Sequence, residues 1–116
     1  MHNFRQLNIW KDAMKLAKAV YVLTSSFPPH EKYGLISQIN RAVVSVPSNI
    51  AEGSSRNSNK EFSHFLSIAI GSLFELETQI ILAYDFGFID QDNIETVIAE
   101  IIILQKMITN FRKTLE

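Results

Sequence analysis

The stretch QINRAVVSVPSNIAEG, residues 38–53, decides how the rest of the chain is organised. On a helix with 3.6 residues per turn, five of its polar side chains fall within one narrow arc. They are Gln38, Arg41, Ser45, Asn49 and Glu52. Apolar side chains cover most of the other faces, and a helix of that kind is a buried one. The stretch therefore predicts a core helix that carries a polar row.

Two interpretations of this polar row are open on the residues alone. Buried polar atoms without partners cost roughly 1–3 kcal/mol each, so the row needs partners. Either it forms a structural network with neighbouring helices, or Arg41, Asn49 and Glu52 face a ligand. Because ion-pair networks are common inside bundles, we favour the network and expect Glu77 of the third helix to pair with Arg41. Pro47 cannot donate a backbone hydrogen bond, which predicts a kink.

Length and composition limit the classes of protein. The 116 residues suffice for one domain, residues 1–116, which buries a core without disulfides or metals. The absence of cysteine excludes disulfides, a thiol nucleophile and a thiolate metal site. The amino terminus lacks the apolar run of a signal peptide, and no uninterrupted apolar run approaches the ~20 residues that span a bilayer. We expect a cytoplasmic protein without a membrane partner.

Charge is distributed unevenly along the chain, although the net charge is only −1. Residues 1–60 hold eight Lys and Arg against three Asp and Glu, whereas residues 61–116 hold three against nine. Such asymmetry predicts a basic face and an acidic face, or complementary surfaces that meet in an oligomer.

Prolines and glycines divide the chain into four segments with helical periodicity. The first helix is predicted from about residue 7 to 25, and the second from about 30 to Gly53, which is expected to cap it. Ser58 and Glu61 form a capping box that starts the third helix, and Gly87 ends it. Asp90 or Asp92 caps the fourth. Short loops between such helices predict an all-α, antiparallel up-down-up-down four-helix bundle.

Catalytic and metal-binding patterns are weak. Residues 61–64 contain one Glu-x-x-His step, but di-iron bundles need two such steps and two further glutamates. Glu75 and Glu77 point about 200° apart on a helix, so they cannot act as an acid–base pair. We therefore predict no catalytic residues, no metal, no cofactor and no small-molecule substrate.

Basic residues are the better candidates for a binding surface. Lys11, Lys15 and Lys18 share one face of the first helix, with Arg5 nearby, and would suit phosphate contacts. A solvated helix face has the same pattern, so both interpretations stay open. Arg56 and Lys60 flank the start of the third helix, which predicts either an anion cradle or a flexible polar turn.

Four segments carry a resemblance to a known family: LNIWKDAMKLAKAVYVLT (7–24), FPPHEKYGL (27–35), QINRAVVSVPSNIAEGSSRNS (38–58) and KEFSHFLSIAIGSLFELETQI (60–80). The chain resembles the bacterial four-helix-bundle proteins encoded by intervening sequences in 23S ribosomal RNA genes. The match to RAVVSVPSNIAEG and GSLFELET is nearly residue for residue. The chain is also similar to the accessory protein of diversity-generating retroelements.

The resemblance implies a left-handed four-helix bundle that assembles into a ring-shaped homopentamer. It implies no catalytic residues, and the retroelement protein suggests nucleic-acid binding. We therefore expect a non-enzymatic homo-oligomer that binds structured nucleic acid, RNA before DNA, through Arg5, Lys11, Lys15, Lys18, Arg56 and Lys60. The slightly acidic chain departs from the strongly basic composition that would favour this function. The alternative is a protein–protein interaction adaptor or scaffold that binds no nucleic acid.

Overall fold

Four α-helices follow one another in the computed structural model, which describes residues 2–116. They are α1 (Asn8–Thr24), α2 (Leu35–Ser54), α3 (Asn59–Asp85) and α4 (Gln91–Lys113). Short 3₁₀ turns at Phe4–Gln6 and Pro29–Glu31 precede α1 and α2. No strand occurs within the described residues, which confirms the predicted all-α class.

Side-chain caps mark the beginning of α3 and of α4, the two helices in the acidic second half of the chain. Ser58 Oγ accepts a hydrogen bond from the backbone amide of Glu61 at 3.1 Å, as the capping box predicts. Asp90 Oδ1 accepts from the amide of Asn93 at 2.8 Å, so Asp90 rather than Asp92 is the cap of α4.

The end of α3 depends on a glycine. Gly87 has φ +84°, in the left-handed region that favours glycine. Its amide donates to the carbonyl of Tyr84 at 2.9 Å, and the amide of Phe88 donates to the carbonyl of Ala83 at 2.9 Å. These two bonds form a Schellman motif, which confirms Gly87 as the predicted stop.

Two predicted limits of α2 are wrong. The helix begins at Leu35 and not near residue 30, because Pro29–Glu31 forms a separate 3₁₀ turn. Gly53 is not a cap: it lies inside the helix, which continues to Ser54. A Cβ atom at Gly53 would lie 2.6 Å from Cβ of Phe65 and 2.9 Å from Cδ1 of Phe62. The glycine is thus required by the close approach of α3.

Contacts between consecutive helices show that they are antiparallel. Gly53 lies against Phe62, and Ser45 hydrogen-bonds Ser72, so residue numbers fall along α2 as they rise along α3. The same order relates α3 to α4 and α1 to α2 through the hydrogen bonds Arg112–Ser63, Gln105–Glu77, Thr24–Asn40 and His2–Ser54. The chain therefore forms the predicted up-down-up-down bundle.

Aliphatic side chains from all four helices fill the bundle interior. Fully buried examples are Val20, Ile39, Val43, Leu66, Leu73, Ile80, Ile101 and Ile108. Packing is most extensive between α2 and α3 and least extensive between α1 and α4. A cleft of about 400 Å³ lies between α1 and α4.

Helix α2 has one exposed apolar side chain, Val44 at 41%, and Pro47 is buried. Helix α3 has four exposed apolar side chains, Ile68, Phe74, Ile81 and Leu82. We call these four side chains the apolar face of α3.

Helix α3 is long and apolar enough to cross a bilayer, judged by length and composition alone. Its most apolar 18-residue window has a mean hydropathy of 1.5. The sequence-based prediction found this helix but considered only uninterrupted apolar runs, and it did not identify the apolar window. The buried side of α3, from Phe62 to Ala83, packs in the core of the bundle, and such a core helix meets the same criterion.

Candidate nucleic-acid interface

Three lysines form a row along the outer face of α1. Lys11, Lys15 and Lys18 are all exposed, while the opposite side of α1 is buried in the core. At 1.5 Å per residue, the row extends over about 10 Å of helix. No carboxylate lies within 4.0 Å of these lysines among residues 2–116, where the one salt bridge joins Arg56 and Glu52. All three ammonium groups are therefore available to an external anion. We call them the lysine row.

Acidic residues border the lysine row on one side. Lys15 lines the cleft between α1 and α4 together with Asp12 and Glu100. The cleft thus has mixed charge, so a phosphate backbone would meet the row from the outer face of α1 and not from the cleft.

The predicted cationic cluster at the start of α3 is partly neutralised. Arg56 Nη2 lies 3.0 Å from Glu52 Oε1, and the Arg56 guanidinium stacks 4.7 Å from the ring centroid of Phe65. Lys60 is exposed in the first turn of α3, but Glu61 lines the same cleft. This end of α3 therefore presents one available cation beside a carboxylate.

The six predicted phosphate-binding residues do not form one continuous surface on a single chain. The amide of His2 donates to the carbonyl of Ser54 at 3.2 Å, so His2 lies beside the end of α2. Arg5 therefore lies at the same end of the bundle as Arg56 and Lys60. In the described part of the chain, however, no Cα atom of α1 lies within 8 Å of a Cα atom of α3, so the two helices are diagonal in the bundle. The lysine row and Lys60 belong to different sides of the molecule.

The polar row of α2 is only partly a network. Asn49 Nδ2 donates to the carbonyl and to Oγ of Ser45, at 2.8 and 2.9 Å. Ser45 Oγ lies 2.8 Å from Ser72 Oγ on α3. Gln38 and Arg41 are exposed, so burial does not force them to find partners. The row lies at the edge of the interface between α2 and α3, and not in the core.

The predicted ion pair between Arg41 and Glu77 is wrong. Glu77 Oε1 instead accepts a hydrogen bond from Gln105 Nε2 of α4 at 2.8 Å. The physical reason is the rotation of α3 about its own axis. Residues two apart on a helix point about 200° apart, so Glu77 faces α4 and Glu75 faces α2. The prediction chose the glutamate on the wrong side. Glu52 was also assigned to the network, but it forms a salt bridge with Arg56, four residues later in the chain.

A double-mutant cycle on Glu77→Ala and Gln105→Ala should show coupling of about 1 kcal/mol, because a partly buried hydrogen bond to a charged group is lost in each single variant. Urea unfolding of the four proteins measures it. The same cycle on Arg41→Ala and Glu77→Ala is the matched control and should be additive within about 0.5 kcal/mol. Coupling in the control that equals the Gln105 value would contradict this geometry.

The sequence analysis did not group three polar residues of α3 that lie close together in the structure. Ser72, Glu75 and Gln79 line a cavity of about 320 Å³ at the edge of α2, together with Gln38, Arg41 and Ser45. Their spacing of three and four residues puts them on one helix face, and that spacing could have revealed them in the sequence. We call this cavity the polar groove.

No cluster of three or more potential metal ligands of the His, Asp or Glu type occurs in residues 2–116. Ser58 satisfies the amide of Glu61, and the ring of His64 lies edge-on to Phe65 at 5.9 Å. His64 therefore packs against an aromatic ring, and Glu61 lies in the first turn of α3.

The family is shown by comparison with known sequences. The model of the 23S rRNA-intervening sequence protein family matches residues 5–110, which is nearly the whole chain. The chain belongs to this family. No curated protein matches the sequence. The family match confirms the resemblance drawn from residues 7–80.

A solved structure of a family relative has the same fold. It is described as a protein with unknown function from the S23 ribosomal protein family of Bacteroides thetaiotaomicron. The TM-score is 0.81 at 19% identity, and the alignment covers 90% of this chain and 98% of that one. At this identity the likeness supports the four-helix-bundle fold and no particular activity.

Proposed function

We propose that this member of the 23S rRNA-intervening sequence protein family is a non-enzymatic homo-oligomer that binds structured nucleic acid, RNA before DNA, in the cytoplasm. The lysine row carries the proposal. Its three exposed ammonium groups lie along one helix face and have no carboxylate partner among residues 2–116, so they can contact phosphates from one side of the helix. Contacts of this kind position a nucleic acid without reading its bases.

Oligomerisation is supported by the apolar face of α3. Phe74 is 57% exposed, and Ile68, Ile81 and Leu82 are each about 40% exposed. Exposed apolar side chains collected on one helix are typical of an interface with another protein. The resemblance to ring-forming relatives makes a homopentamer our expectation. A ring repeats the lysine row around its axis, so avidity strengthens a site that is weak in one chain.

Binding of labelled structured RNA and of duplex DNA across a salt series tests the proposal. Each phosphate contact contributes a slope of about −0.9 to the dependence of log affinity on log salt for duplex DNA. Reversing Lys11, Lys15 and Lys18 to Glu should therefore weaken binding and reduce the slope by up to about 3 per engaged chain. Light scattering on the same samples gives the number of copies in the assembly.

A control variant separates local contacts from net charge. Reversing Lys32, Lys106 and Lys113 to Glu changes the net charge by the same amount but leaves the lysine row intact. This variant should retain most of the wild-type slope. Equal losses in both variants would mean that only the overall field attracts the RNA.

The adaptor is the second candidate, and the apolar face of α3 favours it as well. An adaptor needs an exposed apolar surface for a different protein, but it needs no phosphate contacts. If wild type and the variant at residues 11, 15 and 18 bind RNA equally poorly at low salt, the nucleic-acid proposal fails and the adaptor remains.

A further inference from the structure

Two exposed tyrosines line one open groove between α1 and α2. Tyr21 of α1 is 50% exposed, and Tyr33, which precedes α2, is 89% exposed. The groove has a volume of about 630 Å³, and Ile36 and Val44 of α2 add apolar side chains to its lining. Tyr33 contributes very little to the core, since nearly all of its surface is open to solvent. We call this cavity the tyrosine groove.

The tyrosine groove carries positive charge, and no carboxylate of residues 2–116 lines it. Lys32 and Arg41 are exposed along it, and neither has a carboxylate within 4.0 Å in the same part of the chain. The Lys32 ammonium lies 5.5 Å from the ring centroid of Tyr33, where cation–π attraction positions the ring. Arg41 remains available to an external anion. By contrast, a carboxylate lines the cleft between α1 and α4, the polar groove and the cleft at the start of α3.

The lysine row leads toward the tyrosine groove. Tyr21 follows Lys18 by three residues, so the two side chains are neighbours on the surface of α1. Asp12 borders the row at the cleft with α4. It precedes Tyr21 by nine residues, which is about 180° around a helix. The groove therefore lies on the side of the row that is away from the acidic cleft, and a strand that follows the row can continue into it.

We propose that the tyrosine groove stacks the unpaired bases of a single-stranded RNA segment that continues from a duplex on the lysine row. This inference rests on the proposed function, because the row supplies the phosphate contacts. Bases in a duplex are already stacked on each other, whereas unpaired bases offer a free face to an aromatic ring. Such stacking accepts any base, because every base has a π-face. Exposed tyrosines also suit a peptide, but the available guanidinium of Arg41 and the adjoining row favour a polyanion.

Three RNA hairpins with the same stem test the proposal. One has a blunt end, one has an unpaired extension of about six nucleotides, and one has the same extension built from abasic sugars. The two extended hairpins carry equal charge, so the difference in their Kd reports the bases alone. Fluorescence anisotropy with wild type should give at least about fivefold tighter binding of the extension that carries bases.

Variants locate the stacking. Tyr21→Leu and Tyr33→Leu remove a ring at exposed positions and keep an apolar side chain, so both should fold normally. Together they should abolish the preference for bases. They should leave the affinity for the blunt hairpin and its salt slope unchanged, because stacking releases no counterions. Phe86→Leu is the matched control: Phe86 is 61% exposed but does not line the groove, so this variant should keep the preference.

The outcomes separate this proposal from the one on which it rests. If wild type binds the blunt hairpin through the lysine row but binds both extended hairpins equally, the stacking site is refuted while the proposed function stands, and a peptide becomes the better occupant of the groove. If no hairpin binds, both proposals fail. If light scattering shows that the combined tyrosine variant changes the number of copies in the assembly, the groove is a contact between copies and the stacking site is overturned.

Discussion

Leu73→Ala is expected to destabilise the bundle by about 2–5 kcal/mol, measured as the free energy of unfolding in urea. Leu73 lies in the middle of α3 and is 0% exposed. Alanine removes apolar atoms that are buried against the neighbouring helices and leaves a cavity that the packed interior cannot fully close. A loss of this size is a large fraction of the stability of a small domain.

Leu82→Ala is the matched control on the same helix. The residue types are identical, but Leu82 is 42% exposed, so less apolar surface is lost and no enclosed cavity forms. Leu82→Ala should lower the free energy of unfolding by less than half as much as Leu73→Ala at equal protein concentration. The loss in free energy of unfolding caused by Leu82→Ala is then compared at several protein concentrations. If this loss grows with concentration until it equals the loss caused by Leu73→Ala, another copy of the chain covers the apolar face of α3.

Two glycine-to-alanine variants are expected to change stability in opposite directions. Gly53→Ala should destabilise the protein by about 1–3 kcal/mol, because the new Cβ would lie 2.6 Å from Cβ of Phe65. That atom is the base of a side chain on α3, so it moves only if the helix moves. Gly71→Ala meets no atom within 4 Å and should stabilise the protein by roughly 0.5–1 kcal/mol, as alanine does in an open helix position.

Urea unfolding of both variants beside wild type provides the measurement. Each variant adds one methyl group to a helical residue, so intrinsic helix propensity favours alanine at both positions. The difference between them therefore reports the approach of α2 to α3. A neutral or stabilising result at Gly53 would show that the two helices lie farther apart than in this structure.

The elements with strong local signals were predictable from the sequence. Ser58 and Asp90 start helices through their own side chains, and Gly87 ends one through a backbone conformation that few other residues adopt. Such features depend on a few neighbouring residues, so the sequence alone specifies them. The four helices and their up-down-up-down order followed from these signals and from apolar periodicity.

Features that depend on pairs of helices were not predictable. The role of Gly53 depends on the position of Phe65, twelve residues later in the chain and on another helix. The partner of Glu77 depends on the rotation of α3 about its own axis, which periodicity defines only roughly. The same error in rotation hid the polar groove. The spacing of Glu75 and Gln79 puts them on one helix face, but the rotation of α3 decides that this face lies beside α2.

The uneven packing of the helices has a consequence for the order of folding. The three most extensively packed pairs of helices are consecutive in the chain, and α1 and α4, from its two ends, are packed less extensively. Contacts between residues close in sequence form quickly, because little chain entropy is lost in closing them. During synthesis, α1, α2 and α3 can therefore pack together before α4 leaves the ribosome, and α4 then closes the bundle at its least extensively packed seam.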